Sequence, residues 1–210
     1  MVTKKTATFP LCFLNRLRMT TDGQGITTLV GAYGCPLRCK YCLNPRTVQQ
    51  GTLYTQVAPK DLYQMVKMDN LYFLATGGGI TFGGGEPLTH AEFIYDFHDI
   101  CPIDWRFTAE TSLHISKENL YIATQVIDDF IVDIKDMDAD IYKAYTGKSN
   151  DIVKENLAFL IKHVPAERIK VRVPHIPRMN TSSHVNRSIQ ELQNMGFEVF
   201  DTLTYRTDRT

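Results

Sequence analysis

Six short runs rich in β-branched and aromatic residues recur along the chain, and helix-like segments separate them. Nothing else in the sequence constrains the fold so tightly. Parallel strands need a crossover long enough to hold a helix, so this alternation specifies a parallel α/β sheet. The strand runs are residues 26–33, 80–82, 105–111, 129–135, 168–174 and 197–204. Helical character falls at 61–70 with an extension over 71–75, then at 91–100, 117–127, 138–145, 152–163 and 182–195, where Gly196 supplies the stop. Six units are too few to close an eight-stranded barrel. The expected architecture is therefore a partial, open parallel β/α barrel of about six strands, although periodicity does not by itself separate it from a doubly wound sheet. The first twenty residues show no clear period. They read as an arm packing on the barrel through Phe9, Leu11, Phe13 and Leu14, within a single domain spanning 1–210.

The first strand runs into G-C-P-L-R-C-K-Y-C-L-N-P over 34–45, which gathers Cys35, Cys39 and Cys42. Function at the C-terminal end of a strand is the habit of α/β barrels. Iron–sulfur cubanes are normally held by four thiolates, so a three-thiolate loop leaves one iron open to a small molecule. A structural zinc site instead needs four protein ligands, the last from Cys12, Cys101 or a histidine. A disulfide is disfavoured by the odd count of five cysteines. Spacing leaves iron–sulfur and zinc both open.

The stretch T-G-G-G-I-T-F-G-G-G-E-P over 76–87 is the second informative one. Gly83, Gly84 and Gly85 follow a strand directly, where bare backbone could face a ligand's amino and carboxylate groups. Taken alone, a plain glycine turn is the favoured explanation of them. The spacing fits neither the dinucleotide-binding fingerprint nor a P-loop. Asp133 and Lys135 lie two apart on one strand and so share a face. Arg172 alternates with Val171 and Val173, and Glu110 closes the third strand. Salt bridging would account for any one of these groups, but all fall near strand ends, the pattern of a site in a barrel mouth. Among the histidines only His175, near Arg172, invites attention. Cys12 and Cys101 read as small hydrophobes.

With 23 basic and 23 acidic residues the net charge is zero, which points to neither a nucleic-acid nor an anionic-membrane partner. The N-terminus lacks the long apolar stretch of a signal peptide, and no run reaches the length of a membrane span. A cytoplasmic location is expected, where a reducing medium suits free thiolates.

Taken together, these motifs resemble the radical S-adenosylmethionine (SAM) superfamily. Its cysteine signature, C-x3-C-x-aromatic-C, is matched by Cys35, Cys39, Tyr41 and Cys42. Within it the chain is most similar to pyruvate formate-lyase activating enzyme and other glycyl-radical enzyme activases. T-D-G-Q-G resembles their T-V-D-G-P-G, the 76–87 stretch their S-G-G-G-V-T-x-S-G-G-E, and D-I-K at 133–135 their D-L-K. The resemblance runs from about Thr21 to about Tyr205. It implies one [4Fe–4S] cluster on Cys35, Cys39 and Cys42, with SAM on the open iron. Reductive cleavage would yield a 5′-deoxyadenosyl radical that takes a hydrogen atom from the substrate. Carried over by position, Tyr41 would contact adenine largely through its backbone, and Gly84 and Gly85 would line the SAM amino group. Asp133 and Lys135 would sit near the ribose and methionine, and Arg172 would help anchor the cofactor. A monovalent cation beside SAM would fall among Glu110, Thr111 and Asp133. Where the family reads L-P-Y-H this chain has L-T-Y-R, placing Arg206 at a cofactor-contacting position. The implied partners are a glycyl-radical enzyme and a flavodoxin or ferredoxin-type electron donor. A radical SAM enzyme acting on a small molecule or peptide, and a zinc-stabilised interaction module, are the competing readings.

Overall fold

The computed structural model describes residues 7–19 and 21–205. Arg206, whose role the resemblance raised, lies outside them. Eight strands form one sheet. They are β1 (Phe9–Met19), β2 (Ile26–Ala32), β3 (Thr55–Val57), β4 (Gly79–Gly84), β5 (Arg106–Thr111), β6 (Asp129–Asp133), β7 (Ile169–Arg172) and β8 (Val199–Asp201). The order is β3-β1-β2-β4-β5-β6-β7-β8. From β2 to β8 every pairing is parallel, while β1 lies antiparallel to both β2 and β3. The sheet is open, with β3 and β8 at its edges. The helices are α1 (Pro59–Val66), α2 (Asn70–Thr76), α3 (Ala91–His98), α4 (Lys117–Ala123), α5 (Ala139–Thr146), α6 (Asp151–His163) and α7 (Ser182–Asn194).

All six expected parallel strands are present, and two further strands extend the sheet. The segment read as an arm forms β1. Its period was hidden because register shifts fall between Leu11 and Phe13 and between Asn15 and Arg18, and Leu17 takes a left-handed φ of 55°. These irregularities break the alternation that marks a strand. β3 is three residues on the sheet edge, too short for any pattern to show. The helix expected over 61–75 divides into α1 and α2 because a 3-10 turn intervenes at Lys67–Asp69. Asp69 is drawn inward there, where it pairs with Arg16 and accepts a 2.8 Å bond from Thr28 Oγ1.

The two faces of the sheet carry opposite chemistry. Val30, Ala32, Ile80, Phe82, Phe107, Ala109, Phe130, Val132, Ile169 and Val171 all join one buried hydrophobic cluster with the helices. Side chains alternate across a strand, so Thr81, Thr108, Glu110, Asp133 and Arg172 fall on the other face. The turn over 21–25 covers part of that polar face. Thr81 Oγ1 donates to the Asp22 carbonyl, and Arg172 Nη2 donates to the Thr21 carbonyl at 2.8 Å. Gly23, with φ of 135°, lies so close that a Cβ there would come within 2.8 Å of Thr108 Oγ1. The polar face carries Glu110, Asp133 and Arg172 near the C-terminal ends of β5 to β7, while Arg106 and Asp129 pair at the opposite end.

Candidate active site

The cysteine loop is held from two sides. Gly34 N donates to the Thr47 carbonyl at 2.7 Å, and Glu86 N, just beyond β4, donates to the Gly34 carbonyl at 2.9 Å. On the other side the C-terminal carbonyls of α5, which a helix leaves unpaired, accept from the loop. Arg38 N reaches the Thr146 carbonyl at 3.0 Å and Lys40 N the Tyr145 carbonyl at 3.1 Å. The Tyr145 hydroxyl adds a 3.1 Å bond to the Tyr41 carbonyl. Asn44 Nδ2 donates to the Gly84 carbonyl at 3.4 Å, tying the far end of the loop to β4.

One cleft then brings together every residue proposed for the site. Cys35, Cys39, Cys42, Tyr41, Gly84, Gly85, Asp133, Lys135 and Arg172 all line it, together with Glu110 and Thr111. It is open to solvent, with about 720 Å³ of empty space counting its mouth. His175 does not reach it. That residue continues the β7–β8 pairing through its backbone, and its side chain lines a separate groove.

Two glycines lining the cleft let β4 pack closely against β2 and the cysteine loop. Gly84 has φ of 89°, and a Cβ on it would meet Gly31 Cα at 2.9 Å. A Cβ on Gly85 would overlap the Gly34 carbonyl. Behind them Glu86 is fully buried. It accepts from Thr111 Oγ1 at 2.7 Å, Ser112 N at 2.8 Å, Ser112 Oγ at 2.6 Å and Leu88 N at 3.4 Å. Burial raises its pKa, and these bonds pull it partly back. This carboxylate locks the end of β4 to the end of β5.

The charged groups are mutually engaged. Lys135 Nζ bonds Asp133 Oδ2 at 2.5 Å and the Tyr205 hydroxyl at 3.0 Å. Burial is the largest influence and works against the Lys135 ammonium, yet Asp133, Tyr205, Cys39 and Tyr145 together outweigh it and hold the pKa well above the ordinary lysine value. Arg172 Nη1 donates to Glu110 at 2.7 Å. Its Nε is buried without a hydrogen bond, 3.5 Å from Asp201. Thr111 donates its hydroxyl to Glu86. Of the groups suggested for a monovalent cation, both carboxylates thus already face a fixed positive charge.

Burial pushes the Cys35 thiol up to about 12, with Glu86 adding to it, and the Cys39 thiol up to about 11, where Lys135 pulls the other way. Metal ligation needs thiolates, so loading this loop releases protons. The donors suit a cubane better than a lone zinc ion. Three free, half-buried cysteines share the cleft wall, whereas Cys12 and Cys101 lie outside its lining. Among the described residues no three His, Cys, Asp or Glu side chains converge on a single-ion position. The glycine backbone at 84–85 and the Lys135 and Arg172 side chains lining the cleft are what a bound amino-acid-bearing cofactor would use. The residues fit the cluster and SAM.

Tyr205, Tyr145, Ser112, Asn44 and Glu86 also belong to the site, and none was singled out from sequence. Glu86 and Tyr205 stand inside quoted motifs, which was the available signal. Tyr145 gave none, since a tyrosine on a helix is ordinary core.

Comparison with known proteins agrees with this geometry. The family model described as "Radical SAM superfamily" matches residues 29–192. The chain belongs to the radical SAM superfamily, and is an enzyme whose class uses a [4Fe–4S] cluster and SAM. It is 32% identical to pyruvate formate-lyase-activating enzyme of Clostridium pasteurianum, over 89% of this chain and 78% of the relative. It is 26% identical to choline trimethylamine-lyase activating enzyme of Oleidesulfovibrio alaskensis, over 81% of this chain and 73% of that one. Among solved structures, SAM-bound SuiB of Streptococcus suis superposes with a TM-score of 0.64 at 14% identity, over 84% of this chain and 39% of SuiB. Coproporphyrinogen III oxidase of Escherichia coli gives 0.60 at 12% identity, over 97% of this chain and 51% of its own. At that identity both likenesses concern the fold alone. No helix among the described residues is long and apolar enough to cross a membrane.

Proposed function

We propose that this chain is an activating enzyme that abstracts a hydrogen atom from a backbone glycine of a partner glycyl-radical enzyme. The observation that carries the reading is one cleft holding the three-cysteine loop, glycine backbone and paired charges, at the mouth of an unclosed sheet. A protein loop needs such an open approach. The activating enzymes among its relatives support the same reading.

Cys35, Cys39 and Cys42 would hold the cluster, which with SAM would supply the one-electron radical chemistry of the class. Gly84 and Gly85 would line the SAM amino group with their backbone, held in place by its close packing on β2 and the cysteine loop. Tyr41 presents its backbone to the adenine, in a position fixed by Tyr145. Lys135, paired with Asp133, and Arg172, kept in place by Glu110, would anchor the methionine end of SAM. Orientation is the protein's contribution here. The electron comes from a flavodoxin or ferredoxin-type donor, and the cytoplasm is the proposed location.

The test is anaerobic incubation of reduced, cluster-loaded protein with SAM and a candidate glycyl-radical enzyme. A carbon-centred glycyl signal by electron paramagnetic resonance, with 5′-deoxyadenosine formed in step, is expected. SAM cleavage that no such partner couples to a glycyl signal would instead favour a small-molecule or peptide substrate.

A further inference from the structure

The outer side of the cysteine loop carries charge of one sign only. From Gly23 to Lys60 the chain has no acidic residue, although acidic and basic residues are equal in number over the whole sequence. Arg38 and Lys40 fall within that stretch, one on each side of Cys39, and both are exposed. Their backbone nitrogens rest on the carbonyls of Thr146 and Tyr145 at the end of α5. Two more exposed lysines flank those carbonyls in the chain, Lys143 in the last turn of the helix and Lys148 just past it. The helix keeps its own acids, Asp138 and Asp140, at the opposite end. Among the described residues no carboxylate pairs with Arg38, Lys40, Lys143 or Lys148. Arg38 Nη1 donates instead to the Cys35 and Leu37 carbonyls, at 2.5 and 2.8 Å, which braces its guanidinium on the loop. Cations suit a helix C-terminus, which accounts for Lys143 or Lys148 taken singly. It does not account for both neighbours of Cys39 being cations as well.

We propose that this face docks a small acidic electron-carrier protein, which passes its electron inward at the Cys39 corner of the loop. The inference rests on the cluster reading above. In the transfer the carrier is oxidised by one electron and the cluster is reduced by one. No bond forms or breaks, and no proton moves. The cleft mouth is the wrong entrance for the carrier, because SAM and the substrate's glycine must occupy it together. The remaining approach to the cysteines is from outside the loop, where exposed cations flank the half-buried Cys39. An acidic surface complements four cations that have no carboxylate of their own. Such charges steer encounter and set its salt dependence more than they set final affinity.

The experiment mixes cluster-loaded protein with a reduced acidic flavodoxin by stopped flow, for wild type and for the triple variant Lys40→Glu, Lys143→Glu, Lys148→Glu. Arg38 is kept, since its side chain braces the loop. At low salt the second-order rate of cluster reduction should fall about tenfold or more in the variant. Added salt should slow the wild type and barely affect the variant. Iron content, SAM affinity and reduction by dithionite should stay unchanged. A control with the same change in net charge, Lys60→Glu, Lys67→Glu, Lys162→Glu, at exposed positions outside the loop and α5, should stay within about twofold of wild type. Should the triple variant take up less iron, Lys143→Glu with Lys148→Glu, which leaves the loop itself untouched, must slow reduction about threefold or more. An unchanged rate and salt response would overturn the proposal, as would an equal fall in the control, while leaving the cluster reading intact. Affinity lost for the glycyl-radical partner and kept for the flavodoxin would overturn it too, by giving the face to the other protein. Failure of the wild type to take up a cluster would overturn the cluster reading itself.

Discussion

Glu86 shows how much a single buried carboxylate can organise. Its two oxygens receive donors from Thr111, Ser112 and Leu88, so its removal strands several groups at once. Glu86→Ala should cost at least about 1–3 kcal/mol, read as a lower urea midpoint, with less iron retained by the loop it anchors. Cys39→Ala should abolish both cluster uptake and SAM cleavage, since two thiolates hold a cubane poorly. A variant that still forms 5′-deoxyadenosine would show that Cys39 is not a ligand. Lys135→Ala should weaken SAM binding about tenfold or more while sparing iron content, the scale of a lost charge-assisted bond. Unchanged SAM affinity by equilibrium dialysis would place the ammonium outside the site. The sequence showed the cysteines, the glycines and the strand-end charges, because each is an unusual residue for its place. It could not show Tyr145, nor what Tyr205 would contact. Their value depends on which carbonyl or ammonium the fold brings to them, and that information is non-local.

At the element scale, α5 and the β4–β5 connection act as two jaws on the cysteine loop. The close contact of Gly85 with the Gly34 carbonyl makes that grip intolerant of a side chain. Gly85→Ala should destabilise the fold by about 1–3 kcal/mol, the usual cost of overpacking. Thermal unfolding checks this, and an unchanged midpoint would mean that the loop moves freely. The six parallel strands and their helices were legible because burial on one face repeats with the strand period. β1 and β3 were not, for bulges disrupt one and brevity hides the other.

For the whole molecule, the pH dependence of stability follows from the same cleft. Without a cluster, Cys35 and Cys39 titrate near 12 and 11 in the fold, and Tyr205 near 12. Unfolded, the thiols ionise at about 8.5 and the phenol at about 10. Between those values the folded state binds more protons, so stability must fall as pH rises. The cluster-free protein should therefore lose stability progressively above about pH 8.5. Cys35→Ser should make that decline shallower in urea titrations. A flat profile to pH 10 would contradict the burial of the thiols. The open barrel itself was readable from the count of strand–helix units, whereas the two-jawed hold on its mouth was not, since its bonds join residues 40 and 104 apart in sequence.

The most direct measurement is Mössbauer spectroscopy of anaerobically reconstituted protein with and without SAM. The account predicts a [4Fe–4S] cluster in which one iron changes its isomer shift when SAM is added, and 5′-deoxyadenosine once the cluster is reduced. Zinc held by four protein ligands in that loop, or a cluster whose irons all ignore SAM, would contradict it.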